Sequence, residues 1–303
     1  METLESLRRK LDGAEDLKTV VRTMKAVSAA NINQYEMAVH ALKDYYKTVA
    51  LGFLVHFDTR KEKFFMKETE PTAKKEKLIC AIVFGSDQGL VGQFNDSLTA
   101  FVSQSLHNLS GKKEIWAVGD RVQLLLSDIG FTAAKLFSVP NSVDAITPLV
   151  GDMLVQSQES IEAGTINEIY LFFNKPKNPS GYEPIMKQLV PLDEKWKQSF
   201  YEFHWPTHKI PQIAGGVEPT LKALIREYLF VSLFKASAES LVSENSSRLS
   251  AMERANKNIE ELLYDLGLKY HQERQKAINE ELFDVIAGFE ALKNDSPSKK
   301  KNF

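Results

Sequence analysis

Between Pro219 and Pro297 there are 77 consecutive residues without a proline. Proline removes an amide donor and clashes with the preceding turn, so its absence leaves room for one unbroken helix. Cysteine is nearly missing as well. Cys80 stands alone in 303 residues, which excludes an intrachain disulfide and a multi-cysteine metal site and fits a reducing compartment. No apolar run reaches about 18 residues, so no helical span of a bilayer is expected and any membrane role comes through partners. The formal charge is only −2, so no global basic field points to nucleic acid. The opening METLESLRRKLDGAEDL has neither an apolar signal core nor the acid-poor character of a transit peptide. What is present, 43% hydrophobic and 26% charged residues, suits a soluble folded protein.

The proline-free run carries apolar residues on alternating three- and four-residue steps. Met252, Ala255, Ile259, Leu262 and Leu266 form one series, and Ile278, Leu282, Val285, Phe289 and Leu292 form another. That is coiled-coil spacing, with a seam toward a partner helix. Tyr270 extends the first series, and the eight-residue step from there to Ile278 predicts a local change in supercoil. A helix from Leu221 to Leu292 would be roughly 108 Å long.

Residues 3 to 57 also lack proline. Leu4, Leu7, Leu11, Ala14, Leu17, Val21 and Met24 start a helical stripe that Tyr35, Ala38, Leu42, Tyr45 and Val49 resume. Two long helices at opposite ends of the chain each need an apolar partner, and the simplest supply is the other. The expected fold is therefore an antiparallel coiled coil of the N- and C-terminal helices.

Between them, strand-like and helix-like segments alternate. Strands are expected at 78–84, 114–119, 131–139, 166–174 and 185–192, and helices at 96–108, 121–128 and 144–163. This pattern predicts a Rossmann-like α/β domain with a mostly parallel sheet. Pro179 and Gly181 mark the last turn between strands. The organisation is thus a helix over 1–58, a charged linker over 59–77, an α/β domain over 78–218, a helix over 219–292 and a disordered tail over 293–303 that contains Lys299–Lys301. Residues 204–219, with Pro206, Pro211, Pro219 and two adjacent glycines, form the connection back to the long helix.

Few places suggest chemistry. Residues 84–95, FGSDQGLVGQFN, put a glycine-rich turn straight after a strand, where α/β folds often cradle phosphate. The spacing is neither G-x-G-x-x-G nor a P-loop, so a tight turn with closely approaching backbones competes with a nucleotide site. His204 and His208 are four apart, but Pro206 breaks the helix a zinc pair would need. No metal or cofactor is expected. Cys80, inside an apolar strand, reads as a structural thiol. Ser237, Ser240, Ser243, Ser246, Ser247 and Ser250 share roughly one face of the long helix. They form either a solvated face or a surface that another element approaches closely. Arg274 and Gln275 lie near the eight-residue step, and an arginine fork there would suit a partner's carboxylate.

Three motifs in order resemble one family. ESLVSENSSRLSAMERANKN (239–258) with YHQERQKAINEELFDVIAGFEA (270–291) is similar to the C-terminal signature of the gamma subunit of F-type ATP synthases. GSDQGLVGQFN (85–95) resembles that family's central motif, and VVRTMKAVSAA (20–30) its N-terminal helix motif. Asn279 stands where the family usually has Thr, Phe289 follows Gly288 where Ala is usual, and Asn31 replaces a common Lys. Those departures, and the long 204–219 connection, resemble the alternative, N-type bacterial enzymes.

The resemblance implies a non-catalytic central rotor shaft. It implies one copy per complex, with alpha and beta subunits of the ATPase ring, an epsilon subunit and a membrane c-ring as partners. The implied location is the cytoplasmic face of a bacterial inner membrane, held through those partners. Met24 matches the family's N-terminal Met near the lever region of beta, and Arg274 with Gln275 the pair at its catch loop. Gly85, Ser86, Asp87, Gly89, Leu90, Gly92 and Asn95 match the central motif; Ser240, Glu244, Arg248, Met252, Glu280, Asp284 and Gly288 match the C-terminal one. A coiled-coil adaptor, or a nucleotide-dependent enzyme using Gly85–Gly92, would share some of these features but not all three motifs.

Overall fold

The computed structural model describes residues 3–59, 77–177, 181–209 and 211–294. Most of the expected linker, the turn at Pro179 and the tail with Lys299–Lys301 lie outside the described residues. The elements in order are α1 (Leu4–Thr59), β1 (Leu78–Phe84), α2 (Phe94–His107), β2 (Lys112–Val118) and α3 (Asp120–Asp128). They continue with β3 (Ala133–Phe137), α4 (Ile146–Glu162), β4 (Glu168–Pro176), β5 (Tyr182–Val190), α5 (Glu194–Gln198) and α6 (Val217–Asn294). A 3-10 turn, Ser199–Glu202, follows α5 directly. The 78-residue α6 starts two residues before Pro219, which therefore sits in its first turn, where no amide bond is lost. The described residues fold as two compact units, one within 26–251 and the other pairing 3–25 with the part of α6 from Met252 on.

Residues 26–251 are built on a five-stranded sheet of order β3-β2-β1-β4-β5. β1 runs parallel to β2 and β4, β2 parallel to β3, and only β5 is antiparallel, on β4. Side chains alternate across a strand, and here both faces are covered. Ile79, Ala81 and Val83 point to the face shared with Leu98, Val102, Val122 and Leu126 of α2 and α3. Cys80, Ile82 and Phe84 point to the other, with Val150 and Met153 of α4 and with Leu233, Ala238 and Leu241 of α6. Strands buried on both faces read as continuous apolar runs, which is why LICAIVF stands out in the sequence. Cys80 is fully buried and burial pushes its thiol up, so it is packing rather than a nucleophile.

An aromatic cluster pins this part of α1 and α6 together. The Phe53 ring lies 4.9 Å from Phe200 and 5.0 Å from Trp196, and Trp196 lies 5.3 Å from Tyr228. Phe53 and Phe200 are wholly buried. The aromatics of 196–203 follow a strand in a short, irregular stretch, and no periodicity announces them. On α1, Tyr46 is half-buried in this cluster, whereas Tyr45 is 43% exposed and bonds Glu227 instead.

The other unit is an antiparallel helical pair. Lys18 Nζ lies 3.1 Å from Glu260, and Lys25 Nζ 3.1 Å from Glu253. Seven residues forward on α1 is seven back on α6, so the two helices run antiparallel and in step. Leu7, Ala14 and Val21, one heptad apart, are buried; so are Met252 and Leu266 on α6. Burying a side chain of that size stabilises by about 1.5–3 kcal/mol, which suffices to hold a two-helix seam.

Four expectations need correction. Leu17 is 57% exposed. Its place in the seam goes to Lys18, whose aliphatic stem lies inward while the ammonium reaches Glu260. Leu262 is 47% exposed, and the half-buried Leu263 takes its step. The inward side of α6 then runs through 252, 256, 259, 263, 266, 270, 273 and 277 in unbroken alternation of four and three, so the eight-residue step at Tyr270 is no interruption. Finally, Ile278, Leu282, Val285 and Phe289 do not continue the seam; they are 52–70% exposed. Carried to its end, the register sets Leu4, the first residue of α1, level with position 274. The last 20 residues of α6, 275–294, therefore outlast their partner. Leu292 lies outside the described side chains.

Candidate partner-contact surfaces

In a doubly wound sheet the ligand crevice opens at the carboxyl ends of the strands where the order reverses, here between β1 and β4. The glycine-rich turn follows β1 at that point. Its polar groups are already committed to one another. Ser86 donates its amide to Asn95 Oδ1 at 3.1 Å and its hydroxyl to the Gln88 carbonyl at 2.8 Å, while Asn95 Nδ2 donates to Ser86 Oγ at 2.7 Å. Asp87 turns outward from this knot and accepts the amides of Asp120 at 3.2 Å and Val139 at 3.1 Å, which ties the turn to the ends of β2 and β3. Gly119 closes the arrangement at φ 113°, with the Ser86 carbonyl oxygen 2.5 Å from where a Cβ would stand. Gly85 is restricted by a side chain instead, since its Cβ would fall 2.3 Å from Val122 Cβ.

The serine stripe of α6 fills the crevice itself. Ser240 donates to the Phe84 carbonyl at 2.9 Å, Ser243 to Asn174 O at 2.8 Å, and Ser247 to Val91 O. A buried carbonyl without a hydrogen-bond partner is costly. Small hydroxyl side chains let the helix approach closely and satisfy these acceptors. Of the two readings of the stripe, close approach holds for Ser237, Ser240 and Ser243, which are buried, while Ser250 is exposed. The Ser86 amide is thus taken by Asn95 and is not left for a phosphate.

Glu244 and Arg248 add a buried ion pair beside this contact, at 2.6 Å with side chains only 6% and 14% exposed. Burial pushes the Glu244 carboxyl above its ordinary range, Arg248 pulls it back, and Asp87 raises it again. Asn31 of α1 bonds Asn245 at 3.4 Å, close to the same place. So Gly85, Ser86, Asp87, Asn95, Ser240, Glu244 and Arg248, which lie in two distant motifs, form one assembly. Leu90, at φ 62° and 64% exposed, and Gly92, at φ 58°, form the outward rim of the turn, where Gly89 has open space about it. Gly119 was not foreseen; the signal for it is a glycine closing the second strand, opposite the one closing the first.

The remaining site residues belong to the helical pair. Met24 is half-buried and Met252 buried. Arg274 and Gln275 are exposed, as are Glu280, Asp284 and Gly288 on the unpaired end of α6. Arg274 has no ion pair with any described residue of its own chain, whereas neighbouring Glu273 and Lys276 pair with each other at 2.6 Å. His204 and His208 are exposed, and no group of three metal-ligand side chains gathers among the described residues. No described helix is long and apolar enough to cross a membrane.

These features define a class: a mostly parallel α/β unit whose ligand crevice is closed by its own long helix, on a chain whose ends form an antiparallel helical pair. The family model described as ATP synthase matches residues 3–292, and the chain belongs to that family. The ATP synthase gamma chain of Sulfurihydrogenibium sp. is 27% identical over 305 residues, covering 95% of this chain and 97% of its own length. That of Janthinobacterium sp. is 26% identical over 295 residues, covering 95% and 99%. Among solved structures, a chain of the Euglena gracilis mitochondrial ATP synthase matches with a TM-score of 0.62 at 17% identity, covering 99% of this chain and 98% of that one. A chain from the central stalk and c-ring of the Tetrahymena thermophila mitochondrial enzyme matches at 0.53 and 17%, covering 78% and 99%. These two likenesses show that the fold is shared.

Proposed function

We propose that the chain is the central-stalk rotor subunit of an F-type ATP synthase, coupling ion movement through a membrane sector to ATP synthesis or hydrolysis on the beta subunits of an alpha-beta ring. The observation that carries this reading is the family match along nearly the whole chain. The physical features suit it. A ring of near-threefold symmetry around one asymmetric shaft gives each beta subunit a different surface. Coupling requires only that the shaft bind their states unequally. The unpaired end of α6, with Leu282, Val285 and Phe289 exposed, supplies an apolar surface for a surrounding ring. Epsilon and c-ring contacts belong to the α/β unit on this reading, and attachment to the cytoplasmic face of a bacterial inner membrane comes through them. The departures at Asn31, Asn279 and Phe289 favour an enzyme of the alternative, N-type bacterial group.

Within this reading Met24, Arg274 and Gln275 meet the beta subunit. Arg274, exposed and without an ion pair to any described residue, presents its guanidinium fork to two carboxylate oxygens of a partner. Reconstitution with cognate alpha and beta subunits tests both levels. Coupled turnover is expected to vanish when the chain is left out; normal coupled activity without it would sink the proposal. Arg274→Ala is expected to assemble normally yet lose about tenfold in coupled turnover, the equivalent of ~1.4 kcal/mol. Unchanged turnover would remove Arg274 from the contact.

A further inference from the structure

A cavity of about 520 Å³ opens in the α/β unit between α1, β5 and α6, away from the serine-filled crevice. Its volume is in the range of small-molecule sites, roughly 300–1,000 Å³. Val39 and Leu42 of α1 and Val231 and Val242 of α6 supply its apolar lining. Among them stand Lys187 of β5 and Lys235 of α6, with one buried carboxylate, Glu239, which is 6% exposed. Lys187 Nζ donates to the buried Ser232 hydroxyl at 3.2 Å and stands 5.4 Å from the centre of the Tyr228 ring. Lys235 Nζ is 3.9 Å from Glu239.

Two ammonium groups thus share one carboxylate in a half-enclosed, largely apolar space. The strain shows on each. Burial, then Lys235, lowers Lys187 to about 8, while burial raises Glu239 despite Lys235, Lys175 and Lys187. Glu36, His40 and Lys43 of α1 line the mouth, and they are exposed and solvated. A second negative charge inside the cavity would relieve the repulsion between the lysines, and an apolar body behind it would cover the valine and leucine wall.

We infer that this cavity is a binding site for a small amphipathic anion, an aliphatic monocarboxylate, with its head between Lys187 and Lys235 and its chain along Val39, Leu42 and Val242. Nothing in the rotor reading requires such a site. It would give the stalk unit a way to sense a metabolite or a released fatty acid by a stability change in the region where α1, β5 and α6 meet.

Calorimetric titration of the full chain with octanoate tests it, beside inorganic phosphate and octanol as head-only and tail-only probes. The expected result is one octanoate per chain, with phosphate and octanol each at least about tenfold weaker. Lys235→Gln, at an exposed position, and Lys187→Met should each weaken octanoate at least about tenfold. If Lys187→Met fails to fold, Lys235→Gln decides. Affinity should also fall as the pH rises through about 8, where Lys187 loses its proton. Absence of saturable octanoate binding, equal binding of octanol or phosphate, or full affinity in Lys235→Gln would overturn the proposal. Binding by the free chain that disappears in the assembled ATPase would overturn its role in the complex, since a partner would then cover the mouth.

Discussion

Gly119→Ala is expected to destabilise the α/β unit by about 2–6 kcal/mol, from backbone strain of roughly 1–3 and overpacking of roughly 1–3. The residue sits at φ 113°, outside the ordinary range of an L side chain, and the methyl would meet the Ser86 carbonyl oxygen at 2.5 Å. Neither contact can relax alone. Ser86 is held through its amide and hydroxyl by Asn95 and Gln88, and its carbonyl accepts the Arg121 amide at 3.0 Å. Urea unfolding followed by tryptophan fluorescence reads this unit selectively, because Trp116, Trp196 and Trp205 all belong to it. Gly89→Ala is the control, since that position is open. If Gly119→Ala unfolds no earlier than Gly89→Ala, the close approach of turn and strand end is not what requires glycine there.

Arg248→Met should cost about 3–5 kcal/mol near neutral pH, the usual effect of leaving one member of a buried pair without the other. Glu244 loses the counter-charge of Arg248 while Asp87 still repels it, so its carboxyl, already raised by burial, moves higher still. A carboxyl whose folded pKa is raised contributes stability below its unfolded value, about 4.5, and loses it as pH rises through the folded value. The deficit of the variant should therefore be greatest at neutral and alkaline pH and shrink as pH falls toward 4.5. The same urea midpoints, taken across that range for both proteins, check the sign. A deficit independent of pH would mean that Arg248 acts by packing and not by charge.

Much of the fold is legible in residue type and spacing. LICAIVF and the two proline-poor ends specify a buried strand and two long helices before any coordinate is seen. What spacing could not separate is neighbouring positions on a helix, which differ by only about 100°. Leu17 and Lys18 are one such case, and Leu262 and Leu263 another. At the first, the partner's Glu260 and the apolar stem of lysine decide; at the second, the partner's register does, and neither is written locally. The exposed Ile278–Phe289 series shows the opposite effect. Its spacing is sound for pairing, but α1 ends before it can be paired. Serine is the most ambiguous of all, equally suited to water and to a tight interface. Only the carbonyls of Phe84 and Asn174 opposite Ser240 and Ser243 settle which it meets. Arg274 is singled out by the family likeness and not by local spacing, and the cavity around Lys187 was not visible at all, because it draws on three elements remote in sequence.

The unbroken heptads of the helical pair, Leu7, Ala14 and Val21 against Met252 to Leu266, also carry a handedness. A seven-residue repeat falls short of two full turns of helix, so two such helices wrap left-handed to keep their seam closed. A rope laid in one sense does not answer equally to being turned both ways. Torque in the sense of the lay tightens the wrap and presses the seam together; torque against it opens the strands. Two-helix stiffness in this unit should thus depend on the direction of rotation, with Lys18–Glu260 and Lys25–Glu253 the first contacts to part when the pair is unwound.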